Sequence, residues 1–160
     1  MTKQSDHNTI NWGILGLGSI AHKFATDLLT VEGANLYAVA SRSQDKADEF
    51  ASKFKADIAY DSYTALVEDD NVDAVYIATP HALHKENTLL CLDYGIALLC
   101  EKPFAMNAEE GEQMIVKAKE NNVLLMEALW TYFLPHYKFV LNAIKNKTYG
   151  NIIKLEADFG

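Results

Sequence analysis

Short apolar runs alternate with helical patterns along this chain. The runs are Trp12–Leu15, Leu36–Ala40, Ala74–Ala78, Ile96–Cys100 and Val123–Met126, with a weaker one at Ile58–Tyr60. They are nearly continuous rather than alternating, which predicts parallel strands covered on both faces. Between them, Ala47, Phe50, Ala51 and Phe54 recur at i, i+3, i+4 and i+7, as do Gly111, Met114, Ile115 and Ala118. That spacing places each set on one face of a helix. Asn107 with Glu110 three residues on predicts a helix start of the capping-box type. Repeated βα units of this kind predict an α/β fold, a doubly wound parallel sheet with right-handed crossovers.

The pattern changes after Met126. Pro135 precedes an amphipathic helix carrying Tyr137, Val140, Leu141 and Ile144. Ile153, Leu155, Ala157 and Phe159 then alternate with Lys154, Glu156 and Asp158, predicting a strand over Asn151–Phe159 with one wet face. One strand cannot make a sheet. The expected organisation is therefore a polar, mobile leader (1–9), a first domain (10–128), and a linking helix with the first strand of a shortened second α+β domain (129–160).

The stretch Gly16-Leu17-Gly18-Ser19-Ile20-Ala21 follows the first apolar run and opens a helical pattern. A strand, a glycine turn and a helix in that order suit a dinucleotide pyrophosphate. Gly16 permits the tight turn, Gly18 lets the backbone approach the phosphates, and Ala21 lets the helix pack closely on the strand. The helix N-terminus offers N–H groups and a positive dipole end to the anion.

The second run ends Val39-Ala40-Ser41-Arg42-Ser43, with no acid before Asp45. An acid there would bind ribose hydroxyls and favour NAD. Arg42, the only arginine beside thirteen lysines, lies 24 residues after Gly18. Its guanidinium suits a 2′-phosphate and so favours NADP over NAD, against the plainer reading of a solvated loop arginine.

Two more strand ends carry candidate chemistry. Cys100-Glu101-Lys102-Pro103 closes the Ile96–Cys100 run and aims Lys102 at the crevice beyond the strand ends. A lysine there can hydrogen-bond a substrate hydroxyl and assist its proton loss as hydride leaves, with Glu101 orienting it or offsetting its charge. A surface lysine before a turn fits the spacing equally. Thr79-Pro80-His81-Ala82-Leu83-His84 closes the Ala74–Ala78 run. No third metal ligand is near the two histidines in sequence, so a cofactor-lining or helix-capping role is preferred to metal. Trp130 and Tyr132 either wall a substrate pocket or pack at a domain junction.

Composition narrows the partners. The formal net charge of −8 argues against a nucleic acid or an anionic membrane surface. No apolar run approaches the roughly 20 residues of a membrane span. Met1 to Thr9 lacks a signal-peptide core, and Cys91 and Cys100 form no CxxC pair, which points to buried free thiols in a reducing cytoplasm.

Taken together, Gly16–Ala21, Ala40-Ser41-Arg42, Ala78-Thr79-Pro80-His81, His84 and Glu101-Lys102-Pro103 resemble the Gfo/Idh/MocA oxidoreductases, from about Ile10 to Gly160. Leu90-Cys91-Leu92, Leu99–Pro103, Met126–Thr131 and Ala157–Gly160 look most like the dimeric dihydrodiol dehydrogenase and NADP-dependent D-xylose dehydrogenase branch. The resemblance implies a Rossmann domain in which Gly16, Gly18 and Ile20 line the pyrophosphate and adenosine. It implies that Ser41 and Arg42 hold the 2′-phosphate, and that Thr79, Pro80 and His81 run along the nicotinamide side, with Ser19 and His84 as further cofactor-binding candidates. Glu101 and Lys102 would lie at the nicotinamide ribose, with Lys102 catalytic. Two positions depart from the family pattern: His81 stands where many relatives have asparagine, and Tyr132 where the branch has arginine. Relatives carry a second domain supplying substrate groups and usually a dimer interface.

The function expected is hydride transfer between NADP and a sugar or cyclic polyol or diol, by a cytoplasmic enzyme that is a homo-oligomer at full length. This chain alone is expected to bind cofactor without turnover. The alternative is a non-catalytic dinucleotide-binding module acting as a sensor or partner subunit, because fold alone does not decide function. A methyltransferase with a similar glycine turn would want an acid where Ser41 and Arg42 stand.

Overall fold

The computed structural model describes residues 9–156 and residue 158. Strands and helices alternate as the apolar runs predict. β1 (Ile10–Leu15) leads to α1 (Ser19–Leu28), β2 (Ala34–Ala40) to α2 (Gln44–Phe54), and β3 (Ile58–Tyr60) to α3 (Tyr63–Val67). β4 (Ala74–Ile77) leads to α4 (His84–Asp93), β5 (Ala97–Cys100) to α5 (Ala108–Glu120), and β6 (Leu125–Glu127) follows. The chain divides into two compact units, Met1–Ala128 and Leu129–Gly160.

In the first unit the strand order is β3-β2-β1-β4-β5-β6, and every pairing is parallel. Chain order reverses between β1 and β4, the switch point beyond which open α/β sheets bind ligands. The register places Tyr60, Ala40, Leu15, Ile77, Cys100 and Glu127 in a single row across the sheet. These are the last residues of the six strands, so the loops that follow all leave from one edge.

Both faces of the sheet are buried, which is why its strands read as continuous apolar runs. On one face Ile14, Val39 and Tyr76 pack with Ala21 and Ala25 of α1 and Phe50 and Phe54 of α2. On the other, Leu15, Val75 and Ile77 pack with Leu66 of α3, Leu92 of α4 and Met114 of α5. Adjacent residues such as Ile14 and Leu15 thus serve opposite layers.

The cap of α5 forms with one change. The Glu110 N–H donates to Asn107 Oδ1 at 2.9 Å, while Glu110 Oε2 accepts from the Met106 N–H at 3.2 Å rather than from the cap's own amide. Cys91 and Cys100 are free and buried, and burial pushes both thiols up to about 12.

In the second unit, α6 (Pro135–Lys145) starts with Pro135 in its first turn, a position where a missing N–H is harmless. Tyr137, Val140, Leu141 and Ile144 are each exposed. The strand expected over Asn151–Phe159 is corrected: residues 151–156 form no strand, and Ile153 is 98 % exposed. Alternation marks a two-sided segment, but a strand exists only against a neighbour, and none among the described residues pairs with these. Ala157, Phe159 and Gly160, like residues 1–8 of the expected leader, lie outside the described residues. No described helix is long and apolar enough to cross a membrane.

Candidate functional site

The candidate residues gather on the sheet edge defined by the terminal row. Gly16 follows β1 with φ of +85°, a conformation that L side chains rarely adopt. A Cβ there would stand 2.9 Å from both the Ala78 carbonyl oxygen and the Thr79 nitrogen. Gly16 therefore lets the β1 loop pass directly against the end of β4. Gly18 differs. Its φ of −78° is open to any residue, and a Cβ there would meet nothing within 4 Å. Nothing among the described residues requires glycine at 18, and the space above it is open. Gly18 is also the N-cap of α1, with no side-chain cap and no acid in the first turn. The first N–H groups of the helix are left for an anion. Ser19 and Ile20 are exposed beside them, and Ala21 is fully buried against the sheet.

One strand over, the Ser41 N–H donates to the Tyr60 carbonyl at 3.1 Å, and Ser41 Oγ accepts from the Ser43 N–H at 3.3 Å. Arg42 is exposed and has no hydrogen bond or ion pair among the described residues. Tyr63 lies within its electrostatic reach: burial raises that hydroxyl's pKa, and the guanidinium opposes the rise. The end of β3 is braced from below. Asp69 Oδ2 accepts from the Tyr60 hydroxyl at 2.8 Å, and Asp69 Oδ1 accepts from the Asn71 N–H at 2.9 Å.

Beyond β4, Thr79 is buried and Pro80 and His81 are exposed, His81 opening a 3-10 turn (His81–Leu83). Thr79 Oγ1 accepts from Asn87 Nδ2 at 3.1 Å. From sequence, His84 reads as cofactor-lining or helix-capping; the structure corrects the first, since the ring is enclosed. The ring is 0 % exposed, with Nδ1 2.9 Å from the Pro103 carbonyl and Nε2 3.0 Å from the Thr79 carbonyl. No ring nitrogen remains for a ligand. His84 instead ties the loop after β4 to the loop after β5.

The loop after β5 carries Lys102, exposed and in no ion pair among the described residues. The Lys102–Pro103 peptide is cis. Three side chains hold this turn at successive main-chain groups. Glu101 Oε2 accepts from the Lys102 N–H at 3.0 Å, His84 meets the Pro103 carbonyl, and Glu127 Oε1 accepts from the Phe104 N–H at 3.1 Å. Glu101 itself is only 8 % exposed, and its Oε1 accepts from the Tyr76 hydroxyl at 2.5 Å. Of the two expected roles, orienting Lys102 or offsetting its charge, the contact seen is of the first kind: Glu101 bonds the lysine's main chain, and no ion pair with the ammonium is found among the described residues. Tyr76, Asn87 and Glu127 are the supporting residues that sequence reasoning missed. Their signal was a polar group inside or ending an apolar run, which in Tyr76 is masked by its hydrophobic ring.

An open groove of about 690 Å³ lies on the outer side of this turn, lined by Phe104, Ile115, Val123, Leu125 and Glu127. It does not include the glycine turn. Trp130 and Tyr132 sit on a 3-10 turn (Trp130–Phe133) of the second unit, both exposed, with the Tyr132 ring 5.5 Å from Phe133 and 5.7 Å from Tyr137. Among the described residues no three His, Cys, Asp or Glu side chains are grouped to hold a metal ion.

Comparison with known proteins agrees with this geometry. Trans-1,2-dihydrobenzene-1,2-diol dehydrogenase of Mus musculus is 42% identical over 153 residues, covering 94% of this chain and 46% of its own length. Scyllo-inositol 2-dehydrogenase (NADP(+)) IolU of Bacillus subtilis (strain 168) is 46% identical over 129 residues, covering 81% of this chain and 39% of its own. The chain thus spans about half the length of the curated relatives it matches, or less. Among solved structures, a 3-ketoreductase from Actinomadura kijaniata in complex with TDP-benzene and NADP superposes with a TM-score of 0.82 at 31% identity, over 89% of this chain and 45% of that one. The family description "Oxidoreductase family, NAD-binding Rossmann fold" matches residues 10–129. With its glycine turn, parallel sheet and Lys102 turn all inside that match, the chain belongs to the Gfo/Idh/MocA oxidoreductase family.

Proposed function

We propose that this chain is the NADP-binding half of a dehydrogenase that moves hydride between NADP and a sugar or a cyclic polyol or diol. The observation that carries the proposal is the uncapped N-terminus of α1, with open space above Gly18, on the same sheet edge as the Lys102 turn. Gly16, Gly18, Ser19 and Ile20 would hold the pyrophosphate and adenosine. Ser41 and Arg42 would hold the 2′-phosphate, and Thr79, Pro80 and His81 the nicotinamide side. Bound NADP supplies the hydride acceptor. The protein's part is placement and proton handling. Lys102 Nζ would hydrogen-bond the substrate hydroxyl and assist its proton loss as the hydride leaves. Glu101, His84 and Glu127 fix the backbone from which Lys102 projects, so the amine starts from a defined place.

Residues 10–128 are read as the dinucleotide-binding domain and 129–160 as the linking helix and beginning of a substrate domain, with Trp130 and Tyr132 as substrate-side candidates. Support comes from the relatives, which are named as a diol and an inositol dehydrogenase and are about twice as long. The same reading makes the full-length protein a cytoplasmic homo-oligomer acting on a small molecule. The net charge of −8 favours neither nucleic acid nor an anionic membrane as partner. Calorimetry with NADPH and NADH, followed by NADP reduction with a panel of aldoses, inositols and cyclic diols, tests the reading. Tighter NADPH binding is expected; absence of binding by either cofactor overturns it.

A further inference from the structure

Tyr76 is 2 % exposed and sits in the middle of the sheet, with its ring stacked on Phe24 of α1 at 3.9 Å and 16°. Its hydroxyl meets one oxygen of Glu101, and the other oxygen of Glu101 meets the Lys102 N–H. The carboxylate therefore has one protein donor on each oxygen and almost no contact with water. We propose that Tyr76 is a positioning residue for Lys102, acting through Glu101: its hydroxyl fixes the carboxylate, and the carboxylate fixes the main chain that carries the amine. The proposal rests on the dinucleotide reading only for its functional meaning; the hydrogen-bond relay stands by itself.

The chemistry supports a fixed donor. Burial and the bond to Glu101 hold the tyrosine hydroxyl far above its ordinary pKa, so it stays protonated and donating across the working range of pH. A carboxylate deprived of a donor in a nearly closed site turns towards whatever donor remains. Its second oxygen then leaves the line of the Lys102 N–H. The ring alone would keep the packing on Phe24, so the hydroxyl has a role that shape does not explain. Serial coupling of this kind is non-additive: once the carboxylate is neutralised, the hydroxyl has little left to orient.

Amide exchange of Lys102 reads the relay without any need for turnover. In Tyr76→Phe, Lys102 exchange is expected to quicken at least tenfold while the Val39 amide, deep in the sheet, stays within twofold. In a Glu101→Gln background the same hydroxyl removal is expected to add less than twofold. Parent-like exchange at Lys102, equal acceleration at Lys102 and Val39, or additive effects in the double variant would each overturn the proposal. NADPH titration of the unsubstituted chain runs alongside. Absence of binding there overturns the dinucleotide reading and leaves the exchange measurements to decide the role of Tyr76.

Discussion

Gly16 lies so close to Thr79 that a Cβ on the glycine would stand 2.9 Å from the Thr79 nitrogen. The two residues follow the adjacent strands β1 and β4, on either side of the switch point. Gly18, two residues on, has no such neighbour. The two glycines of one motif therefore differ: the fold demands the first, and nothing in the described fold demands the second.

Substitution separates them. Gly16→Ala is expected to destabilise by more than about 2 kcal/mol, since a left-handed conformation alone costs an L-residue roughly 1–2 kcal/mol and the clash adds to it. Gly18→Ala is expected to change stability by less than about 1 kcal/mol, because a stiffer unfolded chain offsets the poorer N-cap of α1. NADPH affinity should nonetheless fall at least tenfold in Gly18→Ala. Denaturant melts and calorimetry on both variants check this. Equal stability losses would remove the distinction.

Arg42 is expected to set cofactor preference. A hydrogen bond to a charged group is worth about 1.5–3 kcal/mol, or roughly tenfold to a hundredfold in affinity. Arg42→Ala should lose that much for NADPH and change NADH binding by less than threefold. An unchanged NADPH/NADH ratio would show that the guanidinium is merely solvated.

Lys102 is exposed, and its side chain makes no hydrogen bond or ion pair among the described residues. Lys102→Met should leave melting temperature and NADPH affinity within a few-fold of the parent. In a protein extending to the full length of the relatives, kcat should fall by two orders of magnitude or more, because the amine acts mainly in the transition state. Near-normal turnover would move the proton-transfer role elsewhere.

Asp69 braces the strand end beside Ser41. Although burial opposes it, hydrogen bonds from Asn71, Tyr60 and Tyr37 hold its carboxyl below the ordinary carboxylate pKa. A depressed folded pKa means that the stabilisation is complete above the unfolded pKa and is lost as pH falls through the folded one. Asp69→Asn should therefore lower stability at pH 7 and flatten its decline on the acid side, as read from urea melts between pH 7 and 3. Parallel pH profiles for parent and variant would contradict this.

His84 closes the set. Replacement by Leu leaves the Thr79 and Pro103 carbonyls without their ring partner, and an acceptor left buried and unsatisfied costs about 1–3 kcal/mol. Thermal melts should show a clear drop, together with faster amide exchange in both loops. A parent-like melt would mean that water replaces the ring.

What the chain states locally was legible from its residues alone. Six apolar runs became six strands, because burial on both faces leaves no polar alternation to blur them. Gly16, Gly18 and the following helix could be read because strand, turn and helix are contiguous. What required the tertiary structure was contact between distant segments. His84 reads from sequence as cofactor-lining or helix-capping, and only the fold shows its ring between the Thr79 and Pro103 carbonyls; Glu101 reads as orienting Lys102 or offsetting its charge, and only the fold shows it between the Tyr76 hydroxyl and the Lys102 N–H. No spacing rule carries that information, since Tyr76 and Glu101 are 25 residues apart and meet only through the β4–β5 pairing. Residues 151–156, part of the strand expected near the chain end, form none for the same reason. Alternation is a property of one segment, whereas a strand is a property of two.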